Sequence, residues 1–270
     1  MDSVNFFQEG SCFNCGDSPV IFRRHSGQYL CLNCFKNSIE AIIRKTISVY
    51  KLLSPNDKIL VAFSGGISST TLLYNIKKIQ QSVYHGKPIS ALTIKTSMDQ
   101  ENLQRTKDFC EKYSLEQIFI TSEEFSSDIK SDINKNMRNT KYDIIRIMLN
   151  YMNTLDYNVL CVGFNLTDIA EICLTQLLKE SEKFEINKQS NIKVIFPLMR
   201  IPELEILMYS KLQNFNIEIH SDTLSNIDNV VHKFLDYCSK KSPEIEFNLF
   251  KVYLELSGIG FFDHVMPELL

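Results

Sequence analysis

A chain of 270 residues has room for one large domain plus a small module. It is 44% hydrophobic and 23% charged with a formal net charge of −3, which excludes a strongly basic protein that coats nucleic acid but leaves room for a local basic patch. No segment approaches the ~18 uninterrupted apolar residues of a membrane span. The start, MDSVNFFQEGSC, has neither the basic nor the apolar region of a secretory signal. The expectation is an intracellular, cytoplasmic protein.

The first pattern along the chain is CFNCGDSPVIFRRHSGQYLCLNCF, which reads C-x2-C, fifteen residues, then C-x2-C. Four of the eight cysteines, Cys12, Cys15, Cys31 and Cys34, crowd here, while Cys110, Cys161, Cys173 and Cys238 are scattered. Two close thiolate pairs on tight turns can converge into the tetrahedron that Zn²⁺ prefers. The insert fits a hairpin, with Val20-Ile21-Phe22 as one arm, Ser26-Gly27 as the turn and Tyr29-Leu30 as the other arm. So short a segment cannot bury enough apolar surface alone, so the metal would supply most of its folding energy. Two disulfides or four free thiols are the rival readings. Four thiolates with no open position make the zinc structural rather than catalytic.

From Val20 to Lys58 seven Lys/Arg face two acids. Arg23, Arg24 and His25 mark the hairpin tip, and a helix over 36–53 carries Lys36, Arg44, Lys45 and Lys51. These residues are the candidates for RNA phosphate contacts. A solvated helix face with a charged hairpin tip is the competing reading.

From residue 58 apolar runs alternate with helical patterns. Strands are predicted at 58–63, 89–95, 117–121, 158–163 and 192–196. Helices are predicted at 68–80, 99–113, 136–155, 166–179 and 202–214. Continuously apolar strands alternating with helices predict a doubly wound parallel five-stranded sheet, an α/β fold with right-handed crossovers. Ligands in such sheets sit beyond the carboxyl ends of the strands.

Ser64-Gly65-Gly66 lies at such an end. Two glycines let the backbone turn tightly and approach an anion closely. Ser64, Ser68, Ser69 and Thr70 offer hydroxyls, and the N-terminus of the following helix favours negative charge at the same spot. The loop is neither a Walker A motif nor G-x-G-x-x-G. A Gly-Gly turn with a serine cap is the plainer reading.

VAFSGGISSTTLL resembles the S-G-G-x-x-S pyrophosphate loop of the adenine-nucleotide α-hydrolase (PP-loop ATP pyrophosphatase) superfamily. VGFNLTDIAEICLTQLLKE at 162–180 is similar to its G-H-N-x-x-D-x-A-E-T helix entry, and FPLMRIPELEILMYSKL at 196–212 to its P-L-x6-E-I-x-x-Y-A segment. With the C-x2-C pairs in front, the resemblance narrows to the tRNA 2-thiolation proteins, which transfer sulfur to wobble uridine. It covers roughly residues 10–240. The catalytic members carry S-G-G-K-D-S, where lysine and aspartate complement ATP phosphates and Mg²⁺. Here those positions are Ile67 and Ser68, a form that looks like cytosolic thiouridylase subunit 2, the partner subunit.

The resemblance implies that ATP-Mg, if retained, would be bound by Ser64, Gly65, Gly66, Ser68, Ser69 and Asp168. It also implies a structural Zn²⁺, tRNA, a paralogous catalytic subunit as heterodimer partner and, through the complex, a ubiquitin-like sulfur carrier. Sulfur transfer requires adenylation of the uridine and then attack by a thiolate, persulfide or cluster sulfide. The segments where catalytic relatives place cysteines, here 134–150 and 214–229, contain none. Cys110, Cys161, Cys173 and Cys238 read as core thiols. The family histidine after Gly163 is Phe164, and the acid after the second strand is replaced by Thr96-Ser97. Asp168 and Glu171 remain, as a helix cap or as groups that orient a nucleotide.

Residues 222–256 predict two amphipathic helices that cover the sheet or, with Phe261-Phe262, form a partner interface. The expected organisation is a zinc module at 8–36, a linking helix at 37–56, the α/β domain at 57–220 and a helical extension at 221–270. The expected function is a degenerate, non-catalytic subunit of a wobble-uridine 2-thiolation complex. The alternatives are an ATP-dependent tRNA-modifying enzyme active on its own, or a zinc-dependent RNA-binding module.

Overall fold

The computed structural model describes residues 10–83, 86–95, 100–121, 141–178, 192–215, 217 and 226–258. The chain opens with an antiparallel hairpin, β1 (Ile21–Arg23) and β2 (Gln28–Leu30), in which Ile21 faces Leu30. Helix α1 (Leu32–Val49) follows directly. The α/β domain then runs β3 (Ile59–Ala62), α2 (Ile67–Gln81), β4 (Ser90–Lys95), α3 (Gln100–Lys112), β5 (Glu116–Thr121), α4 (Lys141–Met152), β6 (Val159–Cys161), α5 (Leu166–Leu178), β7 (Lys193–Ile195) and α6 (Glu203–Leu212). Two further helices, α7 (Asn226–Lys241) and α8 (Ile245–Gly258), complete the described chain. The expected start of α4 at 136, Thr96-Ser97 and Phe261-Phe262 lie outside the described residues.

All five main strands are parallel, in the order β5-β4-β3-β6-β7. The chain leaves β3 toward one edge of the sheet and later returns as β6 on β3's other side. That reversal opens a crevice beyond the carboxyl ends of β3 and β6. The strands are apolar on both faces because helices cover both. Ile59 and Val61 of β3 and Val159 and Cys161 of β6 pack with Phe35, Ile39, Ile43, Leu72 and Tyr209. Leu60 and Leu160, one residue out of phase, pack on the other side with Met148, Ile169, Phe250 and Tyr253.

Helix α1 is displaced toward the N-terminus from the predicted 36–53. Cys31 is its N-cap, its sulfur accepting from the Cys34 N–H at 3.5 Å, so the helix begins inside the cysteine motif. It buries Phe35, Ile39, Ile43 and Thr46 along one stripe. It stops early because Lys51 takes the left-handed conformation at φ 47°. Its N–H bonds Ser48 O, and the Leu52 N–H bonds Ile47 O, closing the helix in the manner usually reserved for glycine. No helix among the described residues is long and apolar enough to cross a membrane.

Candidate functional site

Cys12, Cys15, Cys31 and Cys34 converge until their sulfur atoms all lie within 4.8 Å of one another. Cys15 Sγ is 3.5 Å from both Cys31 Sγ and Cys34 Sγ, and all four thiols are free. A Zn–S distance of about 2.3 Å gives a tetrahedron with S···S edges of about 3.8 Å, so the donor set fits a four-thiolate metal site. The turn after Cys12 closes through Gly16 N–H to Cys12 O at 2.8 Å, with Gly16 at φ 79°. Burial works against ionisation of Cys12. The Cys31, Asn14 and Cys15 N–H groups outweigh it and bring the thiol down to about 6. The Asp17 N–H pulls Cys15 down, but burial, the Asp17 carboxylate and the neighbouring thiols push it up overall.

Of the three hairpin-tip residues Arg23 and His25 turn inward, and Arg24 stays exposed. Arg23 is buried, donating from Nε and Nη2 to the two oxygens of Glu205 on α6 at 3.1 and 2.7 Å and from Nη2 to Ser38 at 2.8 Å. His25 packs against the Phe247 ring of α8 with centroids 4.6 Å apart, and its Nδ1 lies 3.4 Å from Glu205 Oε1. Burial, reinforced by the Arg23 charge, lowers His25 to about 4, so it is neutral at physiological pH. Burial also raises Glu205, against the pull of Arg23. Arg24 is exposed and donates to the Lys240 carbonyl at the end of α7, 3.0 Å away. Three consecutive side chains therefore grip three different helices. Arg23 and His25 are committed to that clamp instead of to RNA, because each found a buried partner distant in sequence. Lys36 is half-buried; Arg44, Lys45 and Lys51 are exposed on or just beyond α1, with Arg44 donating to Ser82 at 3.3 Å.

Ser64, Gly65 and Gly66 connect β3 to α2 at the crevice. Gly65 sits at φ 80°, and a Cβ there would stand 2.4 Å from Asn102 Oδ1. Asn102, from α3, donates to Ser64 O at 2.9 Å. Ser64 Oγ and Ser69 Oγ are 3.1 Å apart, and Ser69 also donates to Gly66 O at 3.1 Å. The first amides of α2 lack intrahelical acceptors, giving this turn its positive potential. Gly163, after β6, comes so near that an added Cβ would meet Ser68 C and Ser69 N at 3.1 Å. Asn165 donates from Nδ2 to Ser68 Oγ at 3.3 Å. The two motifs separated by a hundred residues thus form one wall.

A PP-loop domain model matches residues 35–231. The chain belongs to the PP-loop family. The cysteine centre lies immediately before the matched stretch. A probable sulfurtransferase of Methanocaldococcus jannaschii is 24% identical over 266 residues, covering 90% of this chain and 77% of that protein. Cytoplasmic tRNA 2-thiolation protein 1 of Drosophila willistoni is 27% identical over 73% of this chain and 60% of its own length. The tRNA-5-methyluridine(54) 2-sulfurtransferase of Thermotoga maritima is 26% identical over 72% of each chain. Among solved structures, the U34-tRNA thiolase NcsA of Methanococcus maripaludis, determined with its 4Fe–4S cluster, superposes with a TM-score of 0.81 over 97% of this chain and 90% of that one, at 20% identity. That likeness is one of fold.

In this PP-loop, Ile67 packs against the core and Ser68 reaches Asn165, so neither contributes charge. Asp168 closes a reciprocal cap: it accepts from the Asn165 N–H at 2.9 Å, while its own N–H donates to Asn165 Oδ1 at 3.0 Å. The capping alternative for Asp168 is thus the one the geometry displays. Phe164 stacks on Phe196 with centroids 5.1 Å apart and rings 8° from parallel, which places an apolar ring at the histidine position of the family motif. Glu171 pairs with His232 of α7 at 2.6 Å. Cys110, Cys161 and Cys173 are buried, and burial raises all three thiols, Cys110 and Cys173 to about 11. Cys238 is half-buried on α7. Sequence reading missed Asn102, Asn165 and Glu205. The Asn-x-x-Asp spacing at 165–168 signals a capping box, and Glu205 is the glutamate of the P-L-x6-E-I-x-x-Y-A segment, although nothing there points to its pairing with Arg23; nothing local marks Asn102.

Proposed function

We propose that this PP-loop protein works in the 2-thiolation of tRNA uridine as a non-catalytic subunit, in the cytoplasm, beside a catalytic paralogue. The thiolation role draws support from relatives across most of the chain that are named sulfurtransferases and tRNA 2-thiolation proteins. The relatives compared above carry enzyme names or that of thiolation protein 1, so the partner role rests on the residues of this chain. One observation carries it. The loop keeps the turn that approaches a phosphate, yet it has neither lysine nor acid at positions 67 and 68, and the thiols outside the cysteine centre are three buried, raised groups plus Cys238 on α7. Adenylation without those charges loses electrostatic stabilisation of several kcal/mol. Sulfur transfer without an ionisable thiol at the crevice lacks its nucleophile. Zn²⁺ is the metal that best fits four cysteine thiolates in a closed, hairpin-borne site, and its part is to hold the module folded. The exposed Arg44, Lys45 and Lys51 remain for phosphate contact.

Reconstitution tests the proposal. The purified chain, its S-G-G-K-D-S paralogue and the two together are supplied with tRNA, ATP and a sulfur donor, and 2-thiouridine is measured by mass spectrometry. Thiolation that requires the paralogue and rises when this chain is added supports the reading. Thiolation by this chain alone contradicts it.

A further inference from the structure

α7 presents two apolar faces. Val231 and Leu235 turn inward and pack with Ala170 and Leu174 of α5. Val230, Phe234 and Tyr237, four and then three residues apart, lie outside and are 67%, 52% and 64% exposed. Single exposed apolar side chains are ordinary, but three on successive turns of one face form a patch that invites a partner.

The surrounding charges identify the partner. Lys233 and Lys241 stand one turn before and one turn after Tyr237, both exposed, and among the described residues neither has an ion-pair partner. Lys240 pairs with Asp236 at 2.8 Å, and Asp236 is the one acid among the described side chains of α7. Arg24 adds a fourth cation at the same helix end through its bond to the Lys240 carbonyl. Rings interleaved with unneutralised cations suit unstacked nucleotides, whose bases lie on the rings while the cations follow the phosphates. Faces that bind protein are, by contrast, depleted in lysine.

We infer that the outer face of α7, formed by Phe234, Tyr237, Lys233 and Lys241 with Arg24 at its end, binds a single-stranded segment of RNA. The inference rests on the reading that the chain binds tRNA, and it adds base contacts on α7 to the phosphate contacts expected from the hairpin and α1.

Fluorescence anisotropy of the full chain with an unmodified tRNA transcript, run over a salt series, tests it. The Phe234→Ala/Tyr237→Ala variant, whose side chains are exposed, is expected to keep the wild-type melting temperature and to bind roughly tenfold or more weakly. The Lys233→Glu/Lys241→Glu variant is expected to lower the slope of log affinity against log salt by about 1 to 2. Wild-type affinity in both variants, with binding lost in Lys45→Glu/Lys51→Glu, would place the RNA on α1 and overturn this inference while leaving the tRNA reading intact. Variants that keep tRNA affinity but no longer co-elute with the paralogue would make α7 a protein-docking face and overturn it equally. No RNA binding by the wild type would overturn both.

Discussion

The cysteine centre and the loop after β3 are both turns that gather ligand groups, but they gather different kinds. At residues 12–34 four sulfur atoms meet within 4.8 Å, and N–H groups already draw one of them toward the thiolate. At 64–69 the groups are hydroxyls and amides that bond one another, Ser64 to Ser69 and Ser69 to Gly66. A cluster of ionisable thiols is self-repelling when charged and needs a cation to hold it together. A loop of neutral hydroxyls satisfies itself and stands without a ligand. The first arrangement fits a metal ion, whereas the second is satisfied by its own hydrogen bonds.

Breaking the metal side should have the largest effect. Cys31→Ser removes a buried metal donor while leaving a good N-cap for α1, so loss of bound metal and of about 5 kcal/mol or more is expected, read by metal analysis and thermal melting. Arg23→Ala leaves Glu205 buried without its partner and should cost about 3–5 kcal/mol in urea denaturation. The paired Arg23→Met/Glu205→Leu change should cost clearly less, and both should retain the metal. That result would separate the clamp from the cysteine centre it sits beside.

The clamp also has a pH signature. Unfolded, His25 titrates near 6.5, whereas in the fold it is lowered to about 4, so the folded state resists its protonation. Its contribution is complete above pH 6.5 and is lost as pH falls toward 4. Glu205, raised by burial, runs the other way and favours the fold in acid. The difference between wild type and His25→Phe isolates the histidine: the wild type should lose more stability over that window. On the loop side, Gly65→Ala meets Asn102 Oδ1 at 2.4 Å and keeps an unfavourable φ of 80°, so a loss of about 1–3 kcal/mol is expected. Adding Asn102→Ala should recover only part of it, because the backbone strain remains.

The sheet was legible because β3 and β6 are apolar at every position, which only a sheet covered on both faces allows. The cysteine centre was legible because close thiol pairs at that spacing have few uses. The hairpin tip misled for a physical reason. Arg23, Arg24 and His25 read as a basic patch in one dimension, and Glu205 and Phe247, which absorb two of them, lie about 180 and 220 residues away. Helix α1 was misplaced because a cysteine of the C-x2-C motif serves as its cap and a lysine takes the left-handed position that ends it. Asn102 shows the same limit at the loop, since the contact that shapes Gly65 comes from another crossover helix.

The central claim is that the crevice has kept its shape and lost the groups that act on ATP. ATP–pyrophosphate exchange by the isolated, metal-loaded protein, with and without tRNA, tests this most directly. The expected result is no exchange above background in either case. Robust exchange by the wild-type chain, abolished by Gly65→Ala, would contradict it and make this loop a working nucleotide site.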